Sequence, residues 1–223
     1  MKETIIEKQI GILRSILSEI AENDLNGAEN FESFTNKYFY FDNEFGWNIL
    51  MNAFYVFEDT ELAKENFEKF GINGPVKMSD VGEKYLRLYG ILNSLYQQCL
   101  ATINLIKLFK LENPKEQTQE LKNSNCIELR NKIASHPSNY IEDFKTKEVN
   151  VYEISRHNLE KGEIKLLKNQ SDFENYDLNE SVNEFNDRIQ VILNEILKKF
   201  IKTKFDNKGI YFDRFIELEQ SRK

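Results

Sequence analysis

The residues best equipped for chemistry lie close together in Glu128-Leu-Arg-Asn-Lys-Ile-Ala-Ser-His-Pro137. Arg130 is followed at once by Asn131 and, six positions on, by His136. Arg130 supplies a permanent planar cation suited to phosphate oxygens, Asn131 an amide able to orient a neighbour, and His136 the side chain whose ordinary pKa lies near neutrality. Together they can handle a phosphodiester. Residues six apart on an unbroken α-helix point about 120° away from each other. Pro137 pushes His136 out of the helical region, so its ring can turn back towards Arg130. The plain structural alternative is an Arg130 ion pair with Glu128 or Asp143 and a His136 that merely caps the helix end.

Other candidates are weaker. His157 follows Arg156 too closely to repeat this spacing and falls in an expected β-hairpin, where a solvent-facing strand position is the simpler reading. Residues 31–57 hold 11 of the 28 aromatic residues but only one basic residue, Lys37, so they read as core or subunit interface before base-stacking surface. Lys198, Lys199, Lys202, Lys204 and Lys208 make a basic end to the last long helix, which suits the helix dipole and is also the best polyanion-facing stretch elsewhere in the chain. Glu142, Asp143 and the run ELAKENFEKF lack apolar surroundings and read as solvated acids. G-x-x-x-x-G-K-[ST], G-x-G-x-x-G and H-E-x-x-H are all absent from the sequence. Neither a cofactor nor a metal is expected.

The elements that must hold the Arg-Asn-His group follow from apolar spacing. Ile5 to Ile20 recur at three- and four-residue steps, giving a helix over residues 2–22 followed by a loop over 23–30. Residues 47–57 and 60–70 read as two helices, and Gly71-Ile-Asn-Gly-Pro75 as a break. The strongest helical stretch, residues 79–111, is apolar around most of its circumference and should be central. A helix over 115–135 then carries the motif, buries Leu121, Cys126, Leu129 and Ile133, and stops before Pro137. Residues 148–170 cluster β-branched residues around a polar turn at Gly162 and read as an inserted β-hairpin. Ser181 and Glu184 form a capping-box pattern that opens a last long helix, with a short amphipathic tail over 210–218.

Composition sets the frame. A chain of 223 residues with 40% hydrophobic residues buries a sizeable core, and its length fits one domain, residues 1–223, with the hairpin as an insertion. A net charge of -7 opposes broad coating of nucleic acid but permits a local basic site. Only seven of the 30 basic residues are Arg, which singles out an Arg beside an Asn and a His. Cys99 and Cys126 fit apolar helical positions and no metal spacing, which points to a reducing, cytoplasmic setting. The N-terminal helix is too charged for a signal peptide, and no run is long and apolar enough for a membrane span.

The Arg130-Asn131-His136 arrangement resembles the R-x4–6-H signature of the higher-eukaryote-and-prokaryote nucleotide-binding (HEPN) superfamily, in which a polar residue commonly follows the Arg. The resemblance covers residues 79–140: a long central helix, YLRLYGILNSLYQQCLATINL, then ELRNKIASHP. It implies an all-α antiparallel helical bundle and a metal-independent endoribonuclease of toxin–antitoxin or defence systems, with Arg130, Asn131 and His136 as catalytic residues. It also implies RNA or nucleotide as ligand, a homodimer that doubles the site, and a cognate antitoxin protein as partner. The competing expectation is a non-catalytic HEPN-like module that binds a nucleotide or a protein.

Overall fold

The computed structural model describes residues 3–24, 31–42, 44–76, 80–135, 137–141, 148–206 and 208–221. Among them the fold is mainly α with a small β insertion. The helices are α1 (Ile5–Asp24), α2 (Phe31–Tyr38), α3 (Gly46–Phe70), α4 (Val81–Leu108), α5 (Pro114–Lys122), α6 (Asn125–Arg130), α7 (Arg156–Glu160), α8 (Leu178–Phe205) and α9 (Ile210–Ser221). A π-helical turn, Asn131–Ser135, follows α6 directly. The strands are β1 (Tyr140–Ile141), β2 (Val149–Asn150), β3 (Tyr152–Ile154), β4 (Ile164–Lys168) and β5 (Asp172–Tyr176). No helix among the described residues is long and apolar enough to cross a membrane.

The chain divides into two compact units: residues 1–61, 100–118 and 186–223, and residues 62–99 and 119–185. Among the described residues, every regular element of the first unit is a helix. Ile6, Ile10, Leu13, Ile16, Leu17 and Ile20 of α1 are buried, as the periodicity predicts, together with Leu50, Phe54 and Phe57 of α3 and Ile189, Ile192, Ile196 and Phe200 of α8. Each such side chain contributes about 1.5–3 kcal/mol by leaving water. Part of the aromatic-rich segment joins this core. Phe39 stacks on Phe41 and Phe200 with ring centroids 5.3 and 5.0 Å away, and Phe109 meets the edges of Phe41 and Phe200. Tyr40, Phe45 and Tyr55 stay exposed. Buried Gln9 donates through Nε2 to Gln190 O and Asn194 Oδ1 at 2.9 and 2.6 Å, while its Oε1 has no hydrogen-bond partner among the described residues.

The second unit combines helices with the strands. Leu88, Leu92, Leu95 and Cys99 of α4 are fully buried, with Leu121, Cys126, Ile127, Leu129 and Ile133 from the motif region and Val182 and Phe185 from the start of α8. β3, β4 and β5 form an antiparallel sheet in that order, with Tyr152 opposite Lys168 and Lys168 opposite Asp172. β1 and β2 make a separate two-stranded ladder, Tyr140 opposite Asn150.

Four expectations need correction. The helices expected over 47–57 and 60–70 are one, α3, because Thr60 Oγ1 donates back to Val56 O at 2.7 Å and sits inside the helix without breaking it. The helix expected over 115–135 is three pieces: Ser124 takes an extended conformation (ψ 142°) between α5 and α6, and the last five residues are π-helical. The expected hairpin is a three-stranded sheet reaching Tyr176, with α7 inserted between β3 and β4. The last long helix opens at Leu178, where Asp177 Oδ1 accepts from Glu180 N at 3.0 Å, one turn before the expected Ser181 cap.

Candidate functional site

Arg130 ends α6 and Asn131 opens the π-helical turn, so the change of helix type falls between the two residues singled out by sequence. Such turns recur at functional sites because they re-aim side chains. Arg130 Nη1 donates to Asn131 Oδ1 at 3.1 Å. The guanidinium carbon lies 4.0 Å from the centroid of the Tyr96 ring of α4, a close cation–π contact. The two side chains are thus brought together, half-buried, on one wall of an open cleft of about 820 Å³.

That cleft mixes apolar and polar surface. Tyr96 and Tyr140 offer aromatic faces, Lys122 and Arg130 positive charge, and Gln119, Asn123, Asn131 and Asn139 amide groups; Glu128 is the one carboxylate among the described lining residues. Amides present both donors and acceptors, as the edge of a nucleobase does. His136, the third expected residue, lies outside the described residues, as does Asp143. Ser135 and Asn139 both line the cleft.

The expected ion pair between Arg130 and Glu128 is not formed. Glu128 Oε1 is held instead by Lys132 Nζ at 2.6 Å, one helical turn on. Among the described residues no carboxylate pairs with Arg130. Lys132, which drew no attention in the sequence, is only 3% exposed. Its ammonium donates to Glu174 Oε2 and Tyr176 OH of β5 at 2.8 and 2.9 Å and faces the Tyr152 ring at 4.9 Å and the Tyr140 ring at 5.8 Å. Tyr176 OH in turn donates to Glu174 Oε2 at 2.9 Å.

Burial by itself would lower the Lys132 pKa, but hydrogen bonds to Glu128, Glu174 and Tyr176 outweigh it and hold the ammonium well above its ordinary range. Glu174 is the mirror case: burial works to raise it, and Lys132 and Tyr176 overcome that, so its carboxyl titrates below the usual range. Burial raises Tyr176, with Lys132 opposing, which keeps the phenol protonated at neutral pH. The Glu128/Lys132 spacing of four was the available signal for this cluster. Its other half arrives on β5, which the sequence did not reveal.

The remaining candidates resolve as follows. His157 is exposed on α7, a helix, so the expected strand position is corrected. In the first unit, Lys199 donates to the carbonyls of Phe109 and Lys110, closing the C-terminus of α4. Lys204 lies 3.9 Å from the Tyr38 ring and donates to Tyr38 O, Lys198 pairs with Glu219 and Lys208 with Asp206. The basic end of α8 is therefore largely occupied within its own unit. A second cleft in the second unit, about 580 Å³, is lined by Asn73, Tyr176, Asp177 and Asn179 and by no Lys, Arg or His among the described residues, which does not suit a phosphate. No group of three or more His, Cys, Asp or Glu among the described residues is placed to hold a metal ion.

No protein-family model, no curated protein and no solved structure matches the chain.

Proposed function

We propose that the chain is a metal-independent endoribonuclease of HEPN type, acting in a cytoplasmic toxin–antitoxin or defence setting and countered there by a cognate antitoxin protein. The observation that carries the proposal is Arg130: a guanidinium braced by Asn131 and the Tyr96 ring, unpaired with any carboxylate among the described residues, on the wall of an open amide-rich cleft. A cation fixed in this way is pre-positioned for an anion. The lining by Ser135 and Asn139, on either side of position 136, supports a role for His136 at the same cleft.

In the proposed reaction a base takes the proton of a ribose 2′-hydroxyl and the 2′-oxygen attacks the adjacent phosphorus. The bond to the 5′-oxygen breaks as an acid returns a proton to it, leaving a 2′,3′-cyclic phosphate and a 5′-hydroxyl. Arg130 holds the scissile phosphate and stabilises its extra charge, His136 serves as acid or base, and Asn131 keeps the guanidinium in place. One imidazole cannot be base and acid in the same step. A two-fold homodimer that joins two clefts supplies two of each group.

The test is cleavage of a fluorescent single-stranded RNA by purified protein, with and without EDTA, beside His136→Ala and Arg130→Ala. The expected result is EDTA-resistant cleavage that ends in a cyclic phosphate and drops by at least about a hundredfold in either variant. Cleavage abolished by EDTA, or undiminished in His136→Ala, refutes the proposal. RNA binding without cleavage would instead favour a non-catalytic binding module.

A further inference from the structure

We propose that Lys132 is a positioning residue for the Arg130 cleft: its buried ammonium engages Glu128, the one carboxylate in the described cleft wall, and so reserves Arg130 and Lys122 for an incoming phosphate. The inference rests on the reading of the cleft as a phosphate site and deepens it.

The geometry supplies the argument. Residues 128, 130, 131 and 132 occupy little more than one turn, yet they divide between two environments. Glu128, Arg130 and Asn131 line the cleft, whereas Lys132 is directed into the interior. Lys132 Nζ touches Glu128 Oε1 at 2.6 Å from behind the wall, with Glu174 and Tyr176 of β5 fixing the ammonium on its other side. Without Lys132, the Glu128 carboxylate would stand at the cleft with Arg130 and Lys122 as the cations available to it, competing directly with a phosphate. The charge count points the same way. Lys122, Arg130 and Lys132 against Glu128 and Glu174 leave a net single positive charge; deleting Lys132 brings it to zero, and deleting Glu128 as well restores it.

A residue that only supports folding would give a different pattern, which makes the idea testable. The variants are Lys132→Met, Glu128→Gln and their combination, with circular dichroism to establish folding. The first readout is the affinity for a short fluorescent oligouridylate at about 50 mM salt, where electrostatic contacts dominate. Lys132→Met is expected to weaken binding about tenfold, the effect of one unit charge near the cleft wall. Adding Glu128→Gln should recover the affinity to within about threefold of the original, and Glu128→Gln alone should tighten it. A folded Lys132→Met protein that binds as before, or one that Glu128→Gln does not rescue, overturns the proposal.

The second readout needs no RNA: the rate at which phenylglyoxal labels Arg130, read by peptide mass. Lys132→Met should slow labelling as Glu128 takes the guanidinium, and the double variant should restore it. If oligouridylate fails to bind the unaltered protein, the ribonuclease reading falls while labelling still decides the role of Lys132. Should Lys132→Met not fold, Lys132→Gln keeps a donor towards Glu174 and Tyr176 while removing the charge. If neither folds even beside Glu128→Gln, Lys132 serves the core alone and the proposal is refuted.

Discussion

Replacing Glu174 by Gln isolates one charge of the buried cluster without changing its shape. In the native protein Glu174 Oε2 receives Lys132 Nζ at 2.8 Å and Tyr176 OH at 2.9 Å, and the carboxylate side chain is 27% exposed. A hydrogen bond to a charged group contributes about 1.5–3 kcal/mol. Partial exposure and the Glu128 carboxylate that stays with Lys132 reduce the loss, so Glu174→Gln should cost about 1–2 kcal/mol at pH 7. For a chain of this size that is a fall in Tm of about 2–8 °C. The pH dependence is the sharper part. Because the folded-state pKa of Glu174 is depressed, its contribution is fully present above the unfolded carboxyl value of about 4.3 and disappears as pH falls through the folded value. Urea titrations followed by circular dichroism should therefore show the two proteins about 1–2 kcal/mol apart at pH 7 and converging in the acid range. A gap of constant size down to about pH 2 would refute the assignment of that stability to the Glu174 charge.

Gly46→Ala should destabilise the first unit by about 1–3 kcal/mol. A Cβ at position 46 would lie 2.6 Å from Phe41 Cδ2 and 2.7 Å from Phe41 Cβ, inside the ring cluster that ends on Phe200, and a urea midpoint unchanged from the native one would contradict this. Burial pushes the Cys99 thiol up to about 11 and, with Cys99 itself adding to the effect, the Cys126 thiol up to about 12. Neither should react with a disulfide reagent at pH 8 until the protein unfolds, after which both should react together; prompt reaction of either in the native protein would show that the packing around α4 and α6 is looser than described.

How much of this was written in the sequence depends on which kind of signal each element carries. α1, α4 and α8 bury one broad apolar stripe each, and their periodicity alone places Ile16, Leu95 and Ile196 in the interior. β5, Asp-Phe-Glu-Asn-Tyr, has no fully buried position, so it does not show the apolar alternation that marks a strand, and its pairing to β4 is set by tertiary contact. Polar residues misled in both directions. Residues 47–57 and 60–70 read as two helices where Thr60 simply bonds back into α3, whereas residues 115–135 read as one helix although the chain leaves it at Ser124. The succession of Arg130 and Asn131 was legible as a motif; their hydrogen bond to each other was not. Nor was the motif's support, because Tyr96 comes from α4 and Glu174 and Tyr176 from β5, two other stretches of chain that meet the motif only after folding.

The position of the helix transition gives these pieces a common logic. Up to Arg130 the α6 turn buries Cys126, Ile127 and Leu129 while Glu128 and Arg130 reach the cleft. From Asn131 the turn is π-helical, and two consecutive side chains in it, Lys132 and Ile133, enter the interior. That pair anchors the turn: Ile133 by apolar contact, Lys132 by its hold on β5 and on Glu128. With the turn fixed on its inner side, Arg130 and Asn131 before that pair and Ser135 after it are all left on the cleft. The change of helix type thus falls between two residues of the cleft wall, and Glu128, the carboxylate on that wall, is engaged by an ammonium that is itself buried outside the cleft lining.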